Sequence, residues 1–357
     1  MFKQNYNVIG VMSGTSLDGV DLSHVKFTKN ENWTYEILET ETVSYSDEWL
    51  LKLKLAVNFS ESQLEELNLN YTQLLAEIIN DFITKNTIEN LDAVCSHGHT
   101  ILHKPNLGYT LQIGNLPIIS QLINQVVVCD FRVQDVELGG QGAPLVPIGD
   151  KLLFSEYDYC LNLGGFSNIS FDDKGQRIAF DISAVNTVLN YYSSLLGFEY
   201  DDKGEIAKSG NCNLALIKQL NDLEFYNLNY PKSLGIEYVN EFVFPLIELF
   251  KISIKDKMHT FVEHIAFQIS KVITREEASL FITGGGVYNN FLIERIKFYL
   301  PKNNIVIPDN KTIEFKEALI FAFLGVLKLR NEINVLSSVT GASVDHSSGK
   351  LYNFQYK

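Results

Sequence analysis

The N-terminal region alternates between apolar runs and polar turns in a way that predicts β-strands. An apolar run at 8–12 gives way to the turn Ser-Gly-Thr-Ser-Leu-Asp-Gly at 13–19. Alternating apolar and polar residues follow at 20–27 and again at 34–45. Period-two alternation on both sides of a glycine turn is typical of a hairpin. From 47 to 83 the apolar residues recur at helical spacing, which predicts helices.

The next segments continue the alternation of strands with helices. The segment 91–103, LDAVCSHGHTILH, reads as a buried strand that enters a polar turn at 96–100. The segment 118–131, IISQLINQVVVCDF, predicts a short helix followed by a buried strand that ends at Asp130. This order favours an α/β architecture.

The second half of the chain restarts the same pattern. Residues 157–183 predict strand, glycine turn, strand, tight turn and strand, with a helix after them. A further glycine turn at 283–286 follows the apolar strand 278–282 and precedes another helix. The recurrence favours duplication. We therefore expect an N-terminal domain at 1–130, with about 330–357 packing back on it, and a second domain at 131–330.

Length and charge narrow the class of protein. A chain of 357 residues is longer than most single cores, which supports two domains. The net charge of −14, with no offsetting basic cluster, argues against nucleic-acid binding. The apolar run 318–327 is about half a bilayer span, so we expect a buried helix and no membrane partner. The four cysteines form no C-x-x-C pair, which suits buried free thiols in a reducing cytoplasm.

The three glycine turns carry the main chemical signal. Each is predicted at the end of an apolar strand, where ligands of open α/β folds bind. Glycine lets backbone amides approach a phosphate closely, and serine or threonine adds donors. Asp18 and Asp21 would repel a phosphate unless a divalent cation lay between them, so they suggest magnesium. The alternative is three ordinary tight turns. Neither a P-loop nor a complete G-x-G-x-x-G motif occurs at these turns.

Three other stretches contain candidate functional groups. In SHGHTILH, His97, His99 and His103 suggest a turn beside a substrate or a zinc site, and the remaining alternative is a polar turn whose histidines have protein partners. The glycine-rich stretch after Asp130 contains Arg132, which can bind a carboxylate or phosphate through two hydrogen bonds; the alternative is a solvated surface loop. Asp181, placed at a predicted strand end, is either a general base tuned by burial or a helix N-cap.

Ten motifs, in order along the chain, resemble those of the bacterial anhydro-N-acetylmuramic acid kinases. They are GVMSGTSLDGVD, SHGHT, LQIGN, DFR…D…GGQGAPLVP, LNLGGFSNIS, FD…N, PKS.G.E, GGG..N, EA..FAFL and VTGA. The resemblance covers essentially the whole chain. GTSLDGVD and GGQGAPLVP are long and specific.

The resemblance implies an actin/hexokinase-like (ribonuclease H-like) fold of two related domains with ATP in the cleft between them. It also implies a reaction that hydrolyses the internal 1,6-anhydro bond of 1,6-anhydro-N-acetylmuramic acid and phosphorylates O6. With ATP and Mg²⁺ the products would be N-acetylmuramic acid 6-phosphate and ADP, in the recycling of cell-wall peptidoglycan. Members of the family are commonly dimers, so a homodimer is expected.

The resemblance also assigns site residues by position. Asp181 matches the general base that activates the attacking water. On the substrate side it implies His97, His99, Arg132 and Glu317. For ATP it implies two turns that bind the phosphates, one turn that binds the adenosine, and a contact from Asp18 to magnesium through phosphate or water. The cofactor-binding residues that it implies are Gly14, Thr15, Ser16, Asp18, Gly19, Asp21, Gly164, Gly165, Asn168, Gly284, Gly285 and Gly286.

The chain departs from the family pattern mainly on the sugar side. The usual F-D-x-G-P-G-N reads FDISAVN, and D-F-R-R-R-D reads DFRVQD. The glutamine of H-G-Q-T is His99, and K-S-T-G-R-E reads KSLGIE. Two alternatives to the family reaction therefore stay open: a divergent paralogue that phosphorylates another sugar, and a nucleotide-binding protein without catalysis.

Overall fold

The computed structural model describes residues 2–14 and 16–354, which divide into two compact units. The first unit runs to Leu153 and resumes at Phe315, and the second unit is Phe154–Glu314. The sequence-based prediction divided the chain at 130 and 330, whereas the compact units divide at 153 and 314.

Strands and helices alternate along both units. The strands are β1 (Asn5–Ser13), β2 (Val20–Lys29), β3 (Trp33–Val43), β4 (Ala93–Lys104), β5 (Tyr109–Ile113), β6 (Val127–Cys129), β7 (Tyr159–Leu163), β8 (Phe166–Asp173), β9 (Gln176–Ala184), β10 (Ser279–Thr283), β11 (Asn304–Val306) and β12 (Lys350–Tyr352). The helices are α1 (Asp47–Leu55), α2 (Glu61–Lys85), α3 (Ile118–Ile123), α4 (Val133–Glu137), α5 (Val146–Leu153), α6 (Asn186–Ser194), α7 (Glu205–Lys208), α8 (Leu214–Asn221), α9 (Ile236–Tyr238), α10 (Phe244–Glu248), α11 (Ile254–Val272), α12 (Asn290–Tyr299), α13 (Asn310–Leu329) and α14 (Ser337–Thr340).

Each unit is built around one sheet, and the two sheets share a topology. In the first unit the order is β3-β2-β1-β4-β6-β12, with β5 paired to β4. In the second unit the order is β9-β8-β7-β10-β11. In both, the first three strands are antiparallel neighbours and the next two join in parallel. The predicted α/β class and the predicted duplication are therefore confirmed.

Helix α13 covers the first sheet at very close range. Its apolar stretch from Ala318 to Leu327 is buried, as expected for a core helix. A β-carbon at Gly10 on β1 would overlap the Ala318 carbonyl, and one at Gly325 would overlap Cys95 on β4. Glycine at these two positions therefore lets helix and sheet backbones approach each other. In the part of the chain that is described, no helix is long and apolar enough to cross a membrane.

The helix ends follow ordinary capping chemistry. Ser60 and Gln63 form a reciprocal capping box at the start of α2, and Ser253 caps α11. Both long helices bury one apolar face against the sheet of their own unit, since their buried residues belong to the core clusters of those units.

Two local predictions were wrong. The segment SHGHT lies inside β4, which continues to Lys104, instead of forming a polar turn. Gly98 has φ +73° there, and the pairing of β4 with β1 shifts register between Val11 and Ser13, so the strand bends without ending. Asp181 also lies inside a strand, because β9 continues to Ala184. The stretch after Asp130, for which a solvated surface loop was the alternative, contains α4 and the start of α5.

Candidate functional site

The first glycine turn follows β1 directly, as predicted. The amide of Leu17 donates to the Gly14 carbonyl at 3.2 Å, and Leu17 has φ +65°. Gly19 has φ +153°, and a β-carbon there would lie 2.5 Å from the Val43 carbonyl oxygen. The turn therefore needs glycine at 19 both for its backbone angle and for its space.

Two polar side chains of this turn face solvent. Ser16 and Asp18 are exposed, and Thr15 lies outside the described residues. Asp21, just inside β2, accepts a hydrogen bond from the Thr42 hydroxyl at 2.6 Å. Exposed hydroxyl and carboxylate groups on a tight turn are available to a ligand.

A chain of four hydrogen-bonded side chains lies beneath the turn. Ser13 Oγ is 2.7 Å from His99 Nδ1 and 2.6 Å from the Tyr45 hydroxyl, which is 2.5 Å from the Tyr71 hydroxyl. Ser13 and His99 are register partners on β1 and β4. Burial lowers the pKa of His99 to about 4, so the ring is neutral at physiological pH. His99 therefore braces the base of the turn through Ser13.

His97 is bonded at both ring nitrogens. Its Nδ1 faces the Gly98 carbonyl at 2.8 Å, and its Nε2 faces Arg132 Nε at 2.8 Å. A carbonyl requires N–H at Nδ1, and the arginine N–H requires a lone pair at Nε2, so the ring is the neutral Nδ1–H tautomer. Burial and then the Arg132 charge hold the pKa of His97 well below its ordinary value. His97 fixes Arg132 and has no ring nitrogen left for a ligand.

Arg132 is held by its bonds to two neighbours. Its Nη1 donates to the Gly142 carbonyl at 2.6 Å, in addition to the bond from Nε to His97. Within 2–14 and 16–354 no hydrogen bond is found for Nη2. Burial lowers the pKa of Arg132 to about 10, and Glu317 and Asp135 oppose that shift, so the side chain stays cationic at neutral pH.

Glu317 lies near the Arg132 guanidinium on the same unit. The residue is exposed, yet desolvation by the protein around it raises the pKa of its carboxyl. Arg132 opposes this rise, and the Asp21 charge adds to it. The first unit therefore brings together four of the predicted site residues: Asp21, His97, Arg132 and Glu317.

The two glycine turns of the second unit lie side by side. They follow the parallel neighbours β7 and β10, in which Thr283 is the register partner of Asn162. Gly284 has φ +85°, and a β-carbon on it would lie 2.6 Å from Asn162 Oδ1. A β-carbon on Gly286 would lie 2.7 Å from Leu163 Cβ. The predicted arrangement of these turns at one sheet edge is confirmed.

The Gly164–Gly165 turn also caps helix α6. The Gly165 carbonyl accepts from the amides of Val185 at 2.8 Å and Thr187 at 3.2 Å, and the Gly164 carbonyl accepts from Asn186 at 3.3 Å. The turn and the helix start are therefore one rigid element, and Gly165 itself is exposed. A β-carbon on Gly165 would lie 2.9 Å from the Thr187 hydroxyl.

Asp181 is oriented by a loop that is far away in sequence. Its Oδ2 accepts from the Leu234 amide at 2.8 Å and from the Ser233 hydroxyl at 3.1 Å, and its amide donates to the Lys232 carbonyl at 3.2 Å. Burial raises the pKa of Asp181, while the bonds from Leu234 and Ser233 oppose the rise. The N-cap position of α6 is Val185, so Asp181 is not the helix cap.

Asn168 lies beside Asp181 and outside the glycine turn. The two residues are register partners on β8 and β9. After Asp181, the departures Ser183, Ala184 and Val185 from the family pattern are fully buried.

The zinc alternative has no structural support. Across the described part of the chain, no three His, Cys, Asp or Glu side chains lie close enough to hold a metal ion. The cysteines there are free, and Cys95, Cys129 and Cys160 are buried as predicted.

Two sheets of one topology, with glycine turns after β1, β7 and β10, define a duplicated α/β protein of the actin and hexokinase type. The family model "Anhydro-N-acetylmuramic acid kinase" matches residues 6–354. The chain belongs to the anhydro-N-acetylmuramic acid kinase family, which confirms the predicted class of ATP-dependent sugar kinase.

Two individual members of the family are similar in sequence to this chain over nearly their whole length. The chain is 33% identical to the anhydro-N-acetylmuramic acid kinase of Mannheimia succiniciproducens, over 99% of this chain and all of that protein. It is 33% identical to that of Shewanella baltica, over 95% and 96% of the two chains. A solved structure, (R)-2-hydroxyglutaryl-CoA dehydratase component A from Acidaminococcus fermentans, aligns with 89% of this chain and 96% of its own, at 11% identity and a TM-score of 0.48.

Sequence reasoning missed several residues that hold the site in place. Tyr45 and Tyr71 support Ser13, and Ser233 with the Leu234 amide supports Asp181. Ser13 belongs to the glycine turn at 13–19, which gave a local signal. The others have none, since their partners are distant along the chain.

Proposed function

We propose that this protein hydrolyses the 1,6-anhydro bond of 1,6-anhydro-N-acetylmuramic acid while transferring the γ-phosphoryl group of ATP to O6. The observation that carries the proposal is the Asp181 carboxylate within a chain that matches the family from 6 to 354. That carboxylate is fixed by two donors and has a raised pKa, as a general base requires.

The proposed chemistry divides between two bonds of the sugar. Asp181 accepts a proton from a water that attacks the anomeric carbon, and the bond from that carbon to O6 breaks. The freed O6 attacks the γ-phosphorus, and ADP leaves. The product is N-acetylmuramic acid 6-phosphate. The proton from water resides on Asp181 until it returns to solvent.

The turn after β1 is proposed to hold the phosphates of ATP. Backbone amides near Gly14 and Gly19 and the Thr15 and Ser16 hydroxyls are suitable phosphate donors. Asp18 is proposed to hold Mg²⁺ through phosphate or water. The donor set fits this ion, because Asp18 is exposed on the turn and a carboxylate oxygen is a ligand that Mg²⁺ prefers. A magnesium ion there would neutralise charge on the transferred phosphoryl group.

The glycine turns of the second unit are proposed to contact the rest of the nucleotide. Gly164 and Gly165 are suited to bring backbone close to phosphate, and Gly284, Gly285 and Gly286 to bring backbone close to adenosine. For Asn168 we propose a position beside the reacting sugar, since it is the register partner of Asp181.

Arg132 and Glu317 are proposed to contact the sugar. The unbonded edge of the Arg132 guanidinium suits the lactyl carboxylate of the substrate. Glu317 is exposed and suits a sugar hydroxyl. His97 and His99 are proposed to act by holding Arg132 and the phosphate turn, because their Nδ1 atoms, and Nε2 of His97, already have protein partners.

A cytoplasmic location and a homodimer complete the proposal. Free buried cysteines suit a reducing compartment. Light scattering coupled to size-exclusion chromatography tests the dimer, and a monomeric mass at working concentration would contradict it.

The test of the proposed function is a coupled ADP-release assay. We expect ADP release that depends on 1,6-anhydro-N-acetylmuramic acid and on Mg²⁺. Release with another anhydro sugar but none with this one would favour the divergent paralogue. ATP binding without turnover on any sugar would favour a nucleotide-binding protein that has lost catalysis.

A further inference from the structure

Besides its bond to His97, the orientation of Arg132 depends on the backbone of one residue, Gly142. The Gly142 carbonyl accepts from Arg132 Nη1 at 2.6 Å, and the Gly142 amide donates to Asp135 Oδ2 at 2.6 Å. Gly142 has φ +68°, so glycine is needed for this geometry. Any rotation of the Asp135 carboxylate would therefore be passed to the guanidinium through a single residue.

The other oxygen of Asp135 is bonded to the C-terminal part of the chain. The Thr340 hydroxyl, at the end of α14, donates to Asp135 Oδ1 at 2.7 Å. His346 Nε2 lies 3.7 Å from the same oxygen, which is too long for a hydrogen bond. Asp135 is fully buried and Thr340 is 1% exposed. A buried carboxylate oxygen that loses its donor has no water to replace it, so its desolvation cost is not offset.

The surrounding backbone leaves the carboxylate little freedom. The Gln141 amide donates to the Thr340 carbonyl at 2.8 Å, and the Ser343 amide donates to the Leu138 carbonyl at 3.0 Å. A β-carbon at Gly140 would overlap the Asp135 carboxylate. Backbone hydrogen bonds therefore connect the segment around Thr340 to the segment that follows Arg132 on both sides of the Asp135–Thr340 bond.

We propose that Thr340 is a positioning residue for Arg132, acting through Asp135 and the backbone of Gly142. This inference rests on the proposed function, in which Arg132 binds the sugar. Thr340 does not touch the substrate; it fixes the donor edge of the guanidinium before the sugar arrives. Such preorganisation lowers the ordering cost of binding.

The diagnostic variant is Thr340→Val, which keeps the side-chain shape and removes the hydroxyl. With one Asp135 oxygen unpaired, we expect the KM for the sugar to rise about tenfold, in line with the loss of one hydrogen bond to a charged group. We expect kcat and the KM for ATP to stay within about twofold, because Arg132 binds substrate and transition state alike.

Two variants serve as controls. Thr340→Ser keeps the hydroxyl, so it should restore the wild-type KM for the sugar. Ser337→Ala removes another hydroxyl of the same helix, one that donates to the Asp345 carboxylate at 2.6 Å on the exposed side. This variant should change no kinetic constant. An equal rise in the KM for the sugar in Thr340→Val and Thr340→Ser would overturn the inference.

A double-mutant cycle tests whether the effect passes through Arg132. In an Arg132→Ala background, Thr340→Val should add nothing further to the KM for the sugar. Independent, additive effects would show that Thr340 acts by some other route.

A readout without sugar separates this inference from the proposed function. Hydrogen exchange of the Arg132 Nε–H, followed by NMR, should be slow in the wild type and in Thr340→Ser, and faster in Thr340→Val. If the wild-type protein does not turn over the anhydro sugar, the proposed function is contradicted and the positioning role of Thr340 is not. Equal exchange rates of the Arg132 Nε–H in all three proteins would contradict the positioning role, whatever the substrate.

Discussion

The two units hold their candidate site residues in different ways. In the first unit, the hydrogen bonds run from Thr340 through Asp135 and the backbone of Gly142 to Arg132 and His97. In the second unit, one carboxylate, Asp181, is held by two donors from a single loop. The first arrangement suits fixed recognition of an anionic ligand, whereas the second suits a group that must gain and lose a proton.

The electrostatics differ in the same sense. Burial keeps His97 and His99 neutral and leaves Arg132 charged, so the charge state of these three groups in the first unit is constant across physiological pH. Burial moves the pKa of Asp181 upward, toward the pH at which a carboxylate is a more effective base. Variants in the first unit should therefore change binding, and variants at Asp181 should change the rate.

The largest expected effect is that of Asp181→Asn. Asparagine keeps the shape but cannot accept a proton, so kcat should fall about 10²–10⁴-fold while ATP affinity stays nearly unchanged. Steady-state kinetics and calorimetric ATP titration measure the two quantities. Asp173→Asn, at the far end of β8, is the matched control and should behave as wild type. A kcat above about a tenth of wild type would remove Asp181 from the base role.

The next effect is that of Arg132→Lys, which keeps the charge and removes the planar fork. Lysine cannot bond His97 and Gly142 together while presenting a third donor, so the KM for the sugar should rise about 10–100-fold. The KM for ATP should not change. Arg275→Lys, at an exposed ion pair with Asp158, is the control. A drop in kcat with an unchanged KM for the sugar would contradict a binding role.

A smaller effect is expected from Ser233→Ala on the pH profile of kcat. The Ser233 hydroxyl stabilises the ionised form of Asp181 and so lowers the pKa of that carboxyl. Its removal should raise this pKa further. Since the base must be ionised, activity should then be lost at a higher pH on the acid side than in wild type. Ser194→Ala, which removes a local bond in α6, should leave the profile unchanged, and an acid limb that stays or moves down would refute this prediction.

His99→Gln should have the smallest effect on catalysis, and its measurable effect is on the pH dependence of stability. The folded-state pKa of His99 is about 4 against an ordinary 6.5, so the unfolded chain binds a proton first as pH falls. Stability from the neutral ring is complete above 6.5 and is lost toward pH 4. Between pH 7 and 5 the free energy of unfolding of the wild type should fall by about 2 kcal/mol more than that of the variant. Urea unfolding at both pH values measures it; equal losses would contradict the buried neutral ring.

Periodicity and glycine predicted most of the fold because those signals are local. The hairpin β1–β2, the echo at β7–β8 and the buried α13 each rest on neighbouring residues. The path of β4 through SHGHT could not be predicted this way. Its polar residues suggested a turn, but pairing of His99 with Ser13 and of Thr100 with Gln112 keeps the strand intact.

The candidate site residues stand out in the sequence because they belong to motifs, whereas the residues that support them do not stand out. Asp181, Arg132 and the glycine turns were selected as candidates from their residue types and their places along the chain. Thr340 and Ser233 were not, because each meets its carboxylate only after folding. Hydroxyl donors of this kind carry no periodicity or spacing that marks them.

The most direct test identifies the product formed from ATP and 1,6-anhydro-N-acetylmuramic acid by NMR. The water-driven opening and the phosphoryl transfer must appear in one molecule, so we expect N-acetylmuramic acid 6-phosphate and one equivalent of ADP. A ring-opened sugar without phosphate, or a phosphorylated sugar that keeps its anhydro bond, would contradict the coupled reaction.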